Sequence, residues 1–453
     1  MSYSFRFVVQ CKSWVRKESL LLFIYYQNYF GIHFSTMSVY SYATALTALI
    51  ATTTALDTRQ VTVDACSCEG AVRANVCYDS LAAAIGASGE GDTITIGNTL
   101  NVDAPIEFLI GLTFEGKTCE GTKAKLVATF DDPLRAMLEP MNEDNTYIQN
   151  IVMSDFDVTS SDGVRAAMLH TPGDEAITPE GRVGLTLKNM NVYDMLSEYS
   201  GVAVWVGNGA NILIDDDCKF TNLAVRTDVE FRYYGGAVTV KYLGQDYTMD
   251  IGGTFTNNSA FMPSLHTGGA ALMFEWIEGD TNIKGVFKNN RANQGAVTHI
   301  FGLLGNMVLD GTFEGNEAVE EGYGSRGGVV RMTTMYEGGN LTLLGTYENN
   351  VSGGRGGVIA SDDHPAGSTM TLNGKFINNT CLNSGSGAVW SQWSILPVSP
   401  FEGDVTILGT SSFEDNTSPY DDNRSSIWNI NKVGKFSEDD WESETKVAPT
   451  YTE

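Results

Sequence analysis

Five stretches of this chain run through the same order of residue types: "MDIGGTFTNN" from Met249, "TNIKGVFKNN" from Thr281, "MVLDGTFEGN" from Met307, "LTLLGTYENN" from Leu341 and "MTLNGKFINN" from Met370. "CKFTN" at Cys218 and "ILGTSSFEDN" at Ile407 are weaker copies. The aromatics Phe255, Phe287, Phe313, Tyr347 and Phe376 stand 32, 26, 34 and 29 residues apart, which makes an internal repeat with loops of unequal length. A unit this short cannot bury an apolar face alone, and it does so by stacking on its neighbours.

Within each copy apolar and polar residues alternate, as Met249, Ile251, Gly253 and Phe255 do against Asp250, Gly252 and Thr254. That period of two describes a strand with one buried face. The Asn three residues after the aromatic falls where the strand ends. Asn tolerates the left-handed backbone of a sharp corner, and its amide can bond the same Asn one layer away. A second strand follows each corner: "GGAVTV" at Gly235, "GGAALM" at Gly268, "QGAVTH" at Gln294, "GGVVRM" at Gly327, "GGVIAS" at Gly356 and "SGAVWS" at Ser386. Two strands per period, joined by Gly corners and variable loops, predict an all-β fold: a single right-handed parallel β-helix. "YDSLAAAIGASGEGDTITI" adds an amphipathic helix over about Val72 to Ala87 and a strand over Thr93 to Ile96, the helix covering the open end of the stack. The expected organisation is a presequence over 1–56, a Cys-rich cap over 57–90, the β-helix over 91–430 and an acidic cap or tail over 431–453.

The paired G-x-[FY]-x-x-N and GGA[VI] motifs resemble the repeats of the polymorphic outer membrane proteins of chlamydiae, over roughly residues 80 to 425. For that family the resemblance implies surface exposure and adhesion. The chain lacks the family's C-terminal transmembrane barrel, so outer-membrane anchoring does not carry over.

Composition fits an exported rod. Gly is 48 of 453 residues and Pro only 11, with hydrophobics at 42%, which describes a turn-rich chain that still packs a core. Formal net charge is -27. Residues 1–56 carry positive charge through Arg6, Lys12, Arg16 and Lys17 against Glu18, so the remainder is more acidic still. Such a surface repels nucleic-acid phosphates and anionic lipid; it suits solubility in a salty or calcium-containing exterior, with cation binding, calcium included, as the alternative. The stretch from Met37, "MSVYSYATALTALIATTTALDT", has an uncharged apolar middle and small residues around Ala55, the pattern of a secretory signal. Met37 is therefore read as the start of translation and the protein as secreted or cell-surface, with no stable membrane span.

Of the cysteines, Cys66, Cys68, Cys77 and Cys119 cluster near the N-terminal end and predict two disulfides there, Cys66 and Cys68 each reaching for Cys77 or Cys119. The cluster contains no His and no paired C-x-x-C, which argues against zinc. Glycosylation sequons stand at Asn257, Asn340, Asn350, Asn378, Asn416 and Asn423, several inside the repeat, where Asn already has a structural task.

Catalysis on a β-helix needs ionisable groups on the outward face of adjacent rungs. The motif strand presents Asp250, Asn282, Val308, Thr342 and Thr371, then Gly252, Lys284, Asp310, Leu344 and Asn373, then Thr254, Val286, Thr312, Thr346 and Lys375. No two carboxylates adjoin; Lys284 and Asp310 read as a surface ion pair, and the Thr column is too interrupted for an ice-binding array. Aligned on its glycine pairs, the second strand presents Thr239, Leu272, Thr298, Arg331, Ala360 and Trp390, then Lys241, Phe274, Ile300, Thr333, Asp362 and Gln392. That puts Arg331 beside Asp362, with Asp363 and His364 just beyond, and places His299 inward. "IDDDC" at Ile214 lacks the spacing of a calcium loop and reads as a charged turn.

The expectation is a structural or adhesive protein without catalysis or cofactor, binding extracellular glycan or a surface protein through Trp390, Trp393, Phe274 and Trp276. The alternative is a polysaccharide lyase, hydrolase or epimerase centred on Arg331, Asp362, Asp363 and His364, with the Arg or His as proton-abstracting base and the carboxylates holding a cation.

Overall fold

The computed structural model describes residues 65–141, 147–171, 181–198, 200–226, 235–261, 268–319, 325–383, 388–391, 404–408, 410–418 and 427–429. The segments expected as presequence (1–56) and acidic cap or tail (431–453) lie outside them, as do Gln392, Trp393 and Asn423.

The chain from Thr93 onward winds as a parallel β-helix. One rung runs through strands Val238–Leu243, Thr248–Ile251, Thr254–Thr256 and Ser259–Phe261. Each pairs in parallel with its counterpart in the next rung: Leu272–Ile277, Asp280–Ile283, Val286–Lys288 and Arg291–Ala292. The motif stretch is thus two strands rather than the single one expected. It breaks at its glycine, and the two halves join different sheets.

The break has a steric cause. A Cβ on Gly285 would lie 2.4 Å from the carbonyl oxygen of Gly253, one on Gly311 2.3 Å from that of Gly285, and one on Gly345 2.0 Å from that of Gly311. Only a residue without a side chain lets successive rungs close at this bend.

Apolar columns fill the interior. Ile251, Ile283, Leu309, Leu343, Leu372 and Ile407 lie in register and buried. Phe220, Phe255, Phe287, Phe313, Tyr347, Phe376 and Phe413 form one face-to-face stack, with ring centroids 4.6 to 5.1 Å apart and planes within 11°. Tyr347 keeps its hydroxyl satisfied by donating to the Leu309 carbonyl at 3.1 Å.

Beside the aromatic stack runs an asparagine ladder. Each amide nitrogen donates to the side-chain oxygen of the next, from Asn258 through Asn290, Asn316, Asn350 and Asn379 to Asn416, at 2.9 to 3.0 Å. The same oxygens also accept the preceding Asn backbone N–H, and each amide donates a second bond to a carbonyl of the aromatic strand. The left-handed backbone belongs to the residue before: Asn257, Asn289, Gly315, Asn349, Asn378 and Asp415 have φ of 49° to 64°. The two tasks read onto one Asn are divided between neighbours.

At the N-terminal end the expected helix is only six residues, Leu81–Gly86, capped by Ser80 Oγ accepting from the Ala83 N–H. Ala71–Arg73 and Val76–Tyr78 form a hairpin instead, with Ala71–Arg73 antiparallel to Thr93–Ile96. Hairpin and helix together close the stack, held by disulfides Cys66–Cys119 and Cys68–Cys77. Cys218 and Cys381 are buried and unbridged, and burial pushes the Cys218 thiol up to about 11.

On the surface, Asp and Asn alternate between rungs. Asn189 donates to Asp155, Asn191 to Asp157, Asn222 to Asp194, Asn282 to Asp250 and Asn306 to Asp280, all at 2.8 to 2.9 Å. The inter-rung ion pairs on the aromatic and short strands are Lys288–Glu314 and Arg291–Glu317. Lys284 and Asp310 instead line a shallow groove along the glycine bend without pairing. No helix among the described residues is long and apolar enough to cross a membrane.

Candidate functional site

The chemistry of this rod concentrates on the strand that follows each glycine corner. Its register is set by the corner glycine with left-handed backbone: Gly269, Gly295, Gly327 and Gly356, at φ 51° to 76°. In "GGAALM" and "QGAVTH" that glycine is the second residue, and in "GGVVRM" and "GGVIAS" it is the first. Alignment on the first letter therefore slips by one. The true outward column is Trp205, Thr239, Met273, His299, Arg331 and Ala360, with Trp390 next in backbone register. Leu272, Thr298 and Phe274 move to inward-facing columns, and Phe274 is fully buried in the core, so it is no ligand contact.

The corner folds down on this column. A Cβ on Gly268 would meet the His299 ring at 2.5 Å, and one on Gly295 would meet Arg331 Cβ at 2.8 Å. His299 and Arg331 are consequently outward in register yet buried. His299 stacks on Phe301 with centroids 4.1 Å apart, and its Nε2 lies 3.2 Å from Thr333 Oγ1. The placement of His299 as a core-facing residue is thus corrected.

Arg331 and Asp362 do meet. Arg331 Nη2 and Arg326 Nη1 both donate to Asp362 Oδ2, the latter at 2.6 Å, while Arg331 Nε donates to Gln294 Oε1 at 3.2 Å. The side chain of Arg331 is only 4% exposed. Burial lowers its pKa against the opposing pull of Asp362. Burial, then the Arg326 charge, also lowers that of Arg355. Asp363 belongs to the next column, in register with Thr334, Gly302 and Trp276. His364 follows it, at the position where earlier rungs place Leu243, Ile277, Leu303 and Met335, and is itself buried. Of the four residues of the catalytic alternative, Arg331 and Asp362 are joined in an ion pair, and Arg331 and His364 are both buried.

The strand carries two consecutive outward residues near its end, at Lys241–Tyr242, Glu275–Trp276, Phe301–Gly302 and Thr333–Thr334. Tyr242 and Trp276, the second residues of the first two pairs, form an aromatic ledge with Tyr336, which follows the strand Val330–Met335. Trp276 and Tyr336 pack at 4.8 Å between centroids, across Gly302, where a Cβ would lie 2.8 Å from the indole. Glu278 fixes the ledge from below: Oε1 accepts the Trp276 Nε1–H and Oε2 the Tyr242 hydroxyl, both at 3.0 Å. Burial, then the bond to Glu278, raises the Tyr242 pKa, and burial, then the Asp363 charge, raises that of Tyr336. Burial raises Glu275, opposed by Lys241.

Of the aromatic residues expected to touch ligand, Trp276 is half-buried in this ledge. Trp390 pairs in register with Ala360, and Trp393 lies outside the described residues. Tyr242, Tyr336, Glu278 and Arg326 were missed. Only Arg326 had a readable signal, since it precedes the register-setting glycine as Gln294 does. No group of three or more His, Cys, Asp or Glu suited to a metal ion occurs among the described residues, the Asp215–Asp217 turn included. Comparison with protein-family models, curated proteins and solved structures found no match.

Proposed function

We propose that the protein is a secreted or cell-surface rod that binds glycan or protein ligands and has a structural or adhesive role rather than a catalytic one. The observation that carries the reading is the ledge of Tyr242, Trp276 and Tyr336, a rigid aromatic shelf spanning several rungs with both hydrogen-bonding tips of its first two members held by Glu278. Aromatic faces flanked by carboxylates suit the apolar face and hydroxyl rim of a sugar ring, and a fixed shelf loses little entropy on binding. Two disulfides at the N-terminal cap fit an oxidising compartment, and the likeness of the repeats to chlamydial surface proteins supports the same assignment.

The lyase, hydrolase or epimerase alternative loses support because Arg331 is inaccessible and His364 follows a core column. The test is a glycan array on wild type and on a Trp276→Ala, Tyr336→Ala double variant. Loss of at least tenfold in apparent affinity is expected, at a temperature where the variant still shows the far-UV β signature and cooperative melting of the folded protein. Depolymerisation of an acidic polysaccharide by wild type, but not by Arg331→Ala, would sink the binding-only reading.

A further inference from the structure

A second concavity lies on a different face, toward the N-terminal end, in a depression of about 570 Å³ beside Tyr193. It is a broad depression open to solvent, wide enough for a short oligomer to lie along it. Its floor follows from register: Val127, Thr159 and Tyr193 succeed one another in one outward column, so the Tyr193 ring stands beside the smaller Thr159. A shallower depression of about 350 Å³ lies on the other side of the same ring.

The wall and rim are held in place. Lys125 Nζ sits 5.2 Å over the Tyr193 ring. The rim is the exposed turn Ser161–Val164, closed by the Val164 N–H donating to the Ser161 carbonyl at 3.0 Å. Arg165 anchors the end of that turn through ion pairs to Asp131 and Glu198, and Ser160 Oγ donates to the Asp194 carbonyl at 3.2 Å. A pocket built this way needs little reorganisation to accept a ligand.

Its chemistry selects against a charged ligand. Among the lining residues two cations, Lys125 and Arg226, balance two carboxylates, Asp162 and Asp194. The lining also brings hydroxyls from Thr159, Ser160 and Ser161 together with the apolar side chains of Val127, Leu196 and Ala224. We infer that this pocket binds a short neutral saccharide, one ring packing against Tyr193 and its hydroxyls bonding to Asp162, Ser161 and Arg226. The site is independent of the Trp276 ledge and stands whether or not that ledge binds glycan.

The experiment is titration calorimetry of the full chain with three neutral trisaccharides, cellotriose, xylotriose and mannotriose, and with trigalacturonate as the charged control. At least one neutral probe binds, and Tyr193→Ala weakens it tenfold or more. Asp162→Ala, at an exposed rim position that cannot unfold the rod, weakens it several-fold. Trp276→Ala leaves it unchanged, which separates this pocket from the ledge. The inference is overturned if none of the neutral probes binds, if trigalacturonate binds more tightly than all three, or if neither Tyr193→Ala nor Asp162→Ala alters binding.

Discussion

Asn350 donates its amide N–H to the side-chain oxygen of Asn379, one rung further along, at 3.0 Å, and both residues are fully buried. Asn349, its neighbour in sequence, is exposed at φ 56° and belongs to the corner instead. Replacing Asn350 by Ala strands the backbone and amide N–H groups of Asn316 and the carbonyl of Phe313. Unsatisfied buried groups cost about 1–3 kcal/mol each, so a loss of about 4 kcal/mol is expected in urea unfolding. Asn349→Gly, which keeps the left-handed conformation, should change stability by no more than about 0.5 kcal/mol. Equal effects at the two positions would contradict the division of labour.

Gly345→Ala tests the bend. The new methyl would lie 2.0 Å from the Gly311 carbonyl oxygen, and both are main-chain positions that cannot rotate away. A cost of about 3 kcal/mol is expected from overpacking. Gly86→Ala, with nothing within 4 Å of its Cβ, serves as the neutral comparison.

His170 gives the rod a predictable acid limb. Burial lowers its pKa from the ordinary 6.5 to about 4, with the Glu139 carboxylate pulling the other way. Below about pH 6.5 the unfolded chain takes up a proton that the folded chain refuses. Stability is therefore complete above that pH and falls as pH drops toward 4, by about 3 kcal/mol at roughly 1.4 kcal/mol per pKa unit. Melting temperatures of His170→Gln between pH 7 and 4 should show a flatter decline than wild type. Parallel curves would mean that another group controls the acid limb.

The sequons separate by burial. Asn257 and Asn378 are exposed at the corner, whereas Asn350 and Asn416 are ladder members. Asn340 is half-buried and donates to Asn306 and to the Gly338 carbonyl. Produced through a glycosylating secretory route, the folded protein should carry glycan at Asn257 and Asn378 and none at Asn350 or Asn416. Peptide mass mapping of folded material decides it, and substantial occupancy at Asn350 would be incompatible with the ladder.

What could be read in the sequence was whatever the interior repeats. The aromatic column, the ladder positions and the outward columns of the motif strand all follow from one alternation and one corner. The errors come from places where the chain departs from simple alternation. The glycine at the bend looked like an ordinary inward position because Gly253 keeps the parity between Ile251 and Phe255, so a change of sheet was invisible. On the other strand two glycines compete to set the register, and the one with positive φ is not always the first; His299 was misplaced for that reason. The paired outward residues near that strand's end reverse the parity again, which turned Asp363 outward and carried His364 into a core column. The ledge stayed hidden because Tyr336 reaches Trp276 across a missing side chain at Gly302, a contact between rungs that are not adjacent.

A parallel stack sets each surface residue above its counterpart, and a carboxylate there meets whatever the next rung holds. In five places what it meets is an asparagine amide, at 2.8 to 2.9 Å. Deamidation of any of these would turn an attractive contact into two carboxylates facing each other across a single rung. Chemical ageing of this protein would therefore begin as repulsion between two identifiable layers, and the rod would loosen from within its length and not only from its ends.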